Sequence, residues 1–568
     1  MILQALHDIS ELCALKGIEY ALLSPGSRCA PLTISFARNP AINKFTFSDE
    51  RSAAFHAVGI AGETGKPVVL VCTSGSAAYN YAPAVAEAFY QHIPLIIFTA
   101  DRPGEWVGQQ DGQTIQQRDI YGNHVKKSYE LPGDYVSEDA DWFVNRIVNE
   151  AVNLSETHPK GPVHINVPLR EPFYPEPDES LQFSENIRVI KTYSAASGVE
   201  MEFYSKKLAD YSKVLVVPGQ SLHDTELIEA LSKFREKTRC TIISDIIANQ
   251  HQTDDVIRHH DLFIDHAKGL PESFMPELLI TFGNSLISKN LKLYLRSCQP
   301  KEHWHIQPYT TPLADTLKNT TELILTHPKS FLQQISLDSV ISDDFNLQKK
   351  QNYQHAWSII DNKVGAYLDK ELQKDQFNEL TAVGNCMTFL PDQSVLHLAN
   401  SMAVRYANFI GLKGKKGISV KANRGTSGID GSNSTAFGNA LVTDKIVTLI
   451  TGDLAFFYDR NAFWNNYKAA NLRIILLNNF GGGIFRMIKG PAHLNELEEF
   501  FVTKQQQTAT HLAAEYGFQY SIVNNKSELN RNLPLFFRRS DSPKILEIRT
   551  DSKQSASYLK SLKKIVSD

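Results

Sequence analysis

Short apolar runs rich in Val, Ile and Leu alternate with helical patterns along the whole chain, and this alternation limits the fold more than any other feature. The runs are Tyr20–Leu23, Val68–Thr73, Leu95–Thr99, Val163–Val167, Val214–Val217, Thr241–Ser244, Leu278–Phe282, Val395–Leu398, Ile418–Lys421, Ile446–Ile450, Ile474–Leu477 and Ile545–Ile548. Strands this apolar are buried on both faces, which is the condition of a parallel sheet whose crossover connections lay helices over it. The expected class is α/β, with three domains that each hold a mostly parallel sheet flanked by helices. At about 100–200 residues per domain, 568 residues suit that count. The expected bounds are 1–178, 190–345 and 352–568. Pro172, Pro175 and Pro177 mark the first linker, and the polar stretch Ser342–Tyr353 marks the second. Leu3, Leu6, Ile9 and Leu12 predict a first helix stopped by Gly17, and Ser76–Tyr90 reads as one Ala-rich helix.

Composition removes several classes of function. The net charge is -4, so nothing calls for nucleic acid or an anionic membrane, and an anionic ligand has to be met by local basic residues. No apolar run approaches the roughly 18 residues of a membrane span, so no membrane insertion is expected. Cys13, Cys29, Cys72, Cys240, Cys298 and Cys386 are scattered without a Cys-x-x-Cys pair, which fits a reducing compartment. The N-terminus lacks a basic region followed by an apolar stretch, and the expected location is cytoplasmic. The middle block has neither a Gly-x-Gly-x-x-Gly turn nor a Walker-type loop, and it reads as scaffold.

The sharpest chemical signal lies in the third block. The strand Lys445–Thr451 runs into Gly452-Asp453-Leu454, and Arg473–Leu477 runs into Asn478-Asn479-Phe480-Gly481-Gly482. Parallel strands end at one sheet edge, where ligands bind, so the two turns can meet. Asp453 offers a carboxylate, Asn479 an amide oxygen and Gly481 a backbone carbonyl, hard donors of the kind Mg²⁺ takes. The competing reading makes Asp453 a helix cap and the Asn pair a simple turn. A second signal is Glu50, between the strand-like Lys44–Phe47 and the Ala/Gly-rich helix Ala53–Ala61. A carboxyl in an apolar site has its pKa raised and can exchange a proton with a ring nitrogen. Its competing reading is a solvated glutamate favoured by a helix dipole. A third is the set Arg28, Arg102, Lys289, Arg405 and Arg424, each at a strand or turn end, which together suggest a pocket for polycarboxylates.

The two turns of the third block resemble the thiamine-diphosphate signature, Gly-Asp-Gly followed by Asn-Asn, with Leu454 in place of the third residue. More closely, the chain resembles the 2-succinyl-5-enolpyruvyl-6-hydroxy-3-cyclohexene-1-carboxylate synthases of menaquinone biosynthesis, in which leucine is frequent there. The matching stretches are Pro25–Leu32, Asp49–Arg51, Thr73–Asn80, Thr99–Pro103, Asn400–Arg405, Asn423–Gly431, Gly452–Asn461 and Asn478–Phe485, with a weaker match around Gly283–Lys289.

The resemblance implies a transferase using thiamine diphosphate and Mg²⁺ (or Mn²⁺) to couple 2-oxoglutarate to isochorismate with loss of CO₂. It implies that Glu50 serves the cofactor's aminopyrimidine, and that Asp453, Asn479 and Gly481 hold the metal. Gly452, Leu454, Ser427, Gly428, Ile429, Ile484 and Phe485 would line the cofactor, Ile429 as the wedge that bends it. Ser401, Arg405 and Arg424 would face 2-oxoglutarate, and Ser27, Arg28, Arg102, Gln113 and Lys289 would face isochorismate. The cofactor of the superfamily spans two domains, usually of two subunits, which implies a homodimer or homotetramer. Asn290 departs from the family pattern, which often has arginine there, and leaves one contact to the acceptor open. The alternatives are another carboligase or decarboxylase, such as an acetohydroxyacid synthase, against which the basic set argues, and a binding or scaffold protein, against which Glu50, Asp453 and Asn479 argue.

Overall fold

The computed structural model describes residues 3–171, 173–175, 182–185, 187–192, 200–264, 269–337, 344–488 and 490–567. Pro172 and Pro177 of the expected first linker, and Ser342 at the start of the second, lie outside these. The strands form three sheets, and the pairs recorded between neighbours are parallel. In the first sheet, β1 (Tyr20–Leu23), β2 (Asn43–Thr46), β3 (Val68–Cys72), β4 (Leu95–Asp101), β5 (Ser128–Glu130) and β6 (Val163–Pro168) lie in the order β2-β1-β3-β4-β6-β5. In the second, β7 (Val214–Pro218), β8 (Thr241–Ile242), β9 (Leu278–Phe282), β10 (Glu302–Gln307) and β11 (Glu322–Leu325) lie in the order β11-β10-β9-β7-β8. In the third, β12 (Val395–Leu398), β13 (Ser419–Lys421), β14 (Val447–Gly452), β15 (Leu472–Asn478), β16 (Gln519–Val523) and β17 (Lys544–Arg549) lie in the order β13-β12-β14-β15-β17-β16. The first and third sheets therefore share one strand order.

Strand periodicity explains how the first sheet builds a core on each face. Val69 and Val71 of β3 pack with Phe36, Phe98 and Val148, while Leu70 and Cys72 pack with Ala54, Val58 and Val85 on the other side. In the second sheet, Val216, Ile280 and Trp304 pack with Phe234 and Phe331. All six cysteines are buried and free. Among the described residues no helix is long and apolar enough to cross a membrane.

The chain falls into two compact units. One comprises residues 1–194, 423–444 and 455–472, with the first sheet at its centre; the other comprises 195–422, 445–454 and 473–568, with the second and third sheets. In the first unit the helix Ser432–Ala440 lies against the helix Glu50–Thr64. The approach is so close that a Cβ at Gly438 would stand 2.3 Å from the His56 carbonyl oxygen, and one at Gly59 would stand 2.1 Å from that of Thr435.

Several elements differ from the sequence reading. The expected helix Ser76–Tyr90 is two helices, Ser76–Asn80 and Ala82–Gln91, the second starting anew with Pro83 in its first turn. The expected polar linker up to Tyr353 is, from Asp344, part of a 30-residue helix to Gln373. One face of it is buried through Tyr353, Trp357, Val364 and Leu368, at helical spacing within a largely polar run. The strands β5, β10, β11 and β16 were not expected; β10 reads Glu-His-Trp-His-Ile-Gln and hides its polar side chains by pairing them, as where Thr281 meets His303 and His305 at 2.7 and 2.8 Å.

Candidate active site

In the first unit the candidate residues gather at the C-terminal ends of β1 and β3. These strands are neighbours from which the chain departs in opposite directions along the sheet, a switch point where α/β folds bind ligands. The helix carrying Glu50 begins at Glu50 itself, three residues earlier than expected. Asp49 is its N-cap and accepts from Ser52 N at 3.1 Å, while Asn461 Nδ2 donates to the other Asp49 oxygen at 2.7 Å. Capping thus falls to Asp49. Glu50 is half-buried, and its carboxyl is raised above the usual range, chiefly by desolvation, with Asp49 adding to the rise.

Glu50 and Gln113 line one cavity of about 540 Å³, together with Thr73, Ser74 and Gly75. The Thr73 and Ser74 hydroxyls are buried and have no hydrogen-bond partner among the described residues, so the cavity wall keeps polar groups to offer. Gln113 itself holds a φ of 55°, a conformation uncommon outside glycine. Nearby, Arg28 is buried. Its Nη1 donates to the Leu169 carbonyl at 2.8 Å and its guanidinium lies 4.9 Å from the Phe173 ring centre. Arg102 pairs with Asp111 at 3.0 Å, and the Ser27 hydroxyl meets that of Tyr174 at 3.1 Å.

The same unit holds the turn Arg424–Ile429. Glu87, buried on the helix Ala82–Gln91, accepts from the backbone N–H of Gly425 at 2.8 Å, from that of Thr426 at 2.6 Å and from the Thr426 hydroxyl at 2.5 Å. Three donors fix the turn, Ser427 takes a φ of 62°, and Ile429 stands 38 % exposed, an apolar side chain held out of the core.

In the second unit the ends of three adjacent strands carry the other residues. Asn400-Ser401 follows β12, Asp453 follows β14 and Asn479 follows β15, and these strands are consecutive in the sheet, so their ends lie roughly 5 Å apart from one to the next. Ser401 has a φ of 71° at the start of the helix Met402–Ile410, and its carbonyl accepts from Arg405 Nη1 at 2.5 Å. Asp453 is buried and desolvation raises its carboxyl to about 6, against hydrogen bonds from Gln505, Leu454 N–H and Gly481 N–H. Gly481 holds a φ of 155°, and a Cβ there would stand 2.7 Å from the Val502 carbonyl oxygen, so the turn requires glycine. Its own carbonyl accepts from Gly483 N at 3.0 Å. Gly452 and Leu454 flank Asp453, Ile484 and Phe485 follow on a short turn, and Phe485 packs on Phe501 at 5.7 Å. Lys289 is exposed at the start of the helix Lys289–Ser297, behind the cap Ser288, with Asn290 half-buried beside it.

Comparison with known proteins decides the family. Residues 4–121 match the family model "Thiamine pyrophosphate enzyme, N-terminal TPP binding domain", and residues 204–398 match "Middle domain of thiamine pyrophosphate". A 2-succinyl-5-enolpyruvyl-6-hydroxy-3-cyclohexene-1-carboxylate synthase of Cytophaga hutchinsonii is 45 % identical over 99 % of both chains. Proteins of the same name from Porphyromonas gingivalis and Flavobacterium johnsoniae are 37 % and 36 % identical, over 97 % and 98 % of this chain and 95 % and 97 % of their own. The chain belongs to this synthase family of thiamine-diphosphate-dependent enzymes.

As a member of the synthase family it is a transferase of the carboligase type, and its matched domains support thiamine diphosphate as cofactor. The donors in the second unit fit a hard divalent cation. The Asn479 Oδ1 is buried and has no hydrogen-bond partner among the described residues, and beside it stand the Asp453 carboxylate and the Gly481 backbone. Among the described residues no group of three His, Cys, Asp or Glu could hold an ion, so a cation here would rely on one carboxylate together with amide, carbonyl and ligand oxygens.

Three polar residues around these turns were missed from the sequence. Gln505 donates to Asp453, Glu379 accepts from Asn479, and Glu87 holds the Arg424–Ile429 turn. None stands in a motif. Glu379 looks like an ordinary first-turn acidic residue behind the capping box of Asn378 and Thr381, and only tertiary packing shows that it is buried.

Proposed function

We propose that the chain decarboxylates 2-oxoglutarate and adds the resulting succinyl unit to isochorismate, giving 2-succinyl-5-enolpyruvyl-6-hydroxy-3-cyclohexene-1-carboxylate and CO₂ in menaquinone biosynthesis. In this reading it works with Mg²⁺ or Mn²⁺ beside thiamine diphosphate, as a homodimer or homotetramer in the cytoplasm, on domains 1–178, 190–345 and 352–568. The observation that carries it is Glu50: a desolvated carboxyl on a cavity shared with Gln113, in a chain 45 % identical from end to end to a synthase of that name.

Atoms balance simply. The C1–C2 bond of 2-oxoglutarate breaks and CO₂ leaves, the former keto carbon bonds to the ring alkene of isochorismate, and one proton is taken up. Bound thiamine diphosphate supplies the electron sink for the decarboxylation. The protein's part is proton exchange, charge and placement. Glu50, its carboxyl raised chiefly by desolvation, is suited to exchange a proton with a ring nitrogen of the aminopyrimidine. Asp453, Asn479 and the Gly481 carbonyl would hold the metal, Gly452 and Leu454 would shape its turn, and Ser427, Gly428, Ile429, Ile484 and Phe485 would wall the cofactor. Two dicarboxylates lose one carboxylate, so three negative groups have to be matched. Ser401, Arg405 and Arg424 would take the donor's, and Ser27, Arg28, Arg102, Gln113 and Lys289 the acceptor's side.

The test is an assay of the purified full chain with thiamine diphosphate and Mg²⁺, following CO₂ from 2-oxoglutarate and loss of isochorismate together. One-for-one consumption is expected. CO₂ without loss of isochorismate would refute the acceptor, and consumption of neither would refute the donor as well.

A further inference from the structure

Glu379 lies in the second unit at the start of the helix Glu379–Thr388, 3 % exposed and without a cationic partner among the described residues. Its two oxygens divide their work. Oε1 accepts from Asn479 Nδ2 at 2.7 Å, and Oε2 accepts from the Tyr406 hydroxyl at 2.9 Å. Tyr406 sits on the helix Met402–Ile410, one residue past Arg405. A buried carboxyl thus ties the Asn479 turn to the helix that carries Arg405.

An asparagine amide has a donor end and an acceptor end of nearly equal shape, and its neighbours decide which way each faces. With Nδ2 held by Glu379, Oδ1 must face the other way, and that oxygen is buried with no partner among the described residues. The reverse orientation would turn an N–H donor towards a cation and waste the acceptor. Oε1 performs this task whether or not Oε2 carries a proton. We infer that Glu379 is a positioning residue for the metal: it sets the Asn479 amide so that Oδ1 is presented to a divalent cation, and Tyr406 holds Glu379 in place for it. The inference rests on the metal reading given above. Partners behind metal ligands of this kind fix ligand orientation and affinity.

The test uses the full chain with saturating thiamine diphosphate and Mn²⁺ as the probe, free Mn²⁺ being counted by its paramagnetic resonance signal. Glu379→Met, which keeps the bulk and removes the acceptor, is expected to raise the Mn²⁺ Kd by about 10–100-fold. Glu379→Gln keeps an acceptor for Asn479 and is expected to stay within about threefold of wild type. Tyr406→Phe releases Oε2 and is expected to raise Kd by about two- to fivefold, which supplies a reading should Glu379→Met not fold. A role in stability alone would lower the thermal midpoint and leave the Kd of the folded protein unmoved. Wild-type affinity in Glu379→Met or in Tyr406→Phe would overturn the inference, as would a loss in Glu379→Gln equal to that in Glu379→Met. If wild type itself bound no Mn²⁺, the metal reading would fail first, which is a different result from a variant that binds as well as wild type.

Discussion

Gln505 Nε2 donates to Asp453 Oδ2 across 2.6 Å and lies 3.3 Å from Asn478 Oδ1. One amide group therefore links the turn after β14 to the end of β15 and holds the two in register. The only charge among these groups is that of Asp453. Asp453→Ala should accordingly abolish metal-dependent binding of thiamine diphosphate, weakening it by on the order of 100-fold or more. Gln505→Ala keeps the charge and should weaken it by about tenfold, the low end of the roughly 10–100-fold that a partner behind a metal ligand typically contributes. Isothermal titration with thiamine diphosphate, in Mg²⁺ and in chelator, checks both; wild-type affinity in Mg²⁺ that is still lost in chelator would, in Asp453→Ala, remove Asp453 from the site.

The raised carboxyl of Glu50 has two consequences of opposite sign. For activity, Glu50→Gln removes the exchangeable proton and should lower turnover by about 10²–10⁴-fold while the cofactor still binds. For stability, the unfolded chain loses this proton near 4.5 while the folded protein keeps it to higher pH. Between those values the folded state binds more protons, so stability falls as pH rises through the window. Wild type then carries a penalty at neutral pH that Glu50→Gln lacks. Thermal midpoints of the unliganded proteins should coincide below pH 4.5 and separate above it, the inactive variant melting higher. An inactive variant that is less stable at neutral pH would argue that Glu50 is a structural group.

A buried ion pair supports the loop that carries Lys289. Asp245 and His260 lie 3.2 Å apart, and Asp245 also accepts from Ile287 N at 2.6 Å and Asn408 Nδ2 at 2.9 Å. Burial opposes both charges, yet the pair prevails: His260 is raised from 6.5, with Asp245, Asp261 and Asp361 favouring its charge, and Asp245 is lowered from 3.8. The His260 contribution is whole below 6.5 and is lost as pH rises through its folded value; the Asp245 contribution is whole above 3.8 and is lost as pH falls. The pair is therefore at full strength between 3.8 and 6.5. His260→Gln strands a buried carboxylate and should cost about 3–5 kcal/mol in that window. The difference should shrink in alkaline solution, and denaturant unfolding of both proteins at several pH values would measure it.

How much of this was legible before the structure depends on where the information sits. Strands such as Val68–Cys72 and Leu95–Asp101 are apolar throughout because both faces are buried, and they stand out. β10 does not, since His303 and His305 are satisfied by Thr281 on a neighbouring strand, a pairing that no local pattern announces. The site shows the same division. Glu50, Asp453 and Asn479 are conspicuous because each sits at a strand-to-turn junction with glycine or a second polar residue beside it. Glu379, Gln505 and Glu87 act across 100, 52 and more than 300 residues of sequence, and nothing in their own surroundings marks them. Asp49 and Glu50 adjoin, and only the hydrogen bond from Ser52 N to Asp49 separates the cap from the carboxyl on the cavity.

The proposed division of the basic residues between two substrates makes the sharpest kinetic forecast. Arg424 stands on the turn anchored by Glu87, whereas Lys289 stands exposed at a helix start behind Ser288, whose hydroxyl donates to Asp261 at 2.6 Å. If Arg424 meets the donor's remaining carboxylate and Lys289 an acceptor carboxylate, each truncation should act on one substrate only. A charge-assisted hydrogen bond contributes about 1.5–3 kcal/mol, which is roughly 10–150-fold in KM or in kcat/KM. Arg424→Ala should raise the KM for 2-oxoglutarate on that scale and leave that for isochorismate within about twofold. Lys289→Ala should do the reverse, with a smaller effect because an exposed ammonium is well hydrated and screened by salt. Steady-state kinetics with each substrate varied at saturation of the other would separate the two. Parallel losses for both substrates in either variant would mean that the charge acts on the shared pocket rather than on one substrate.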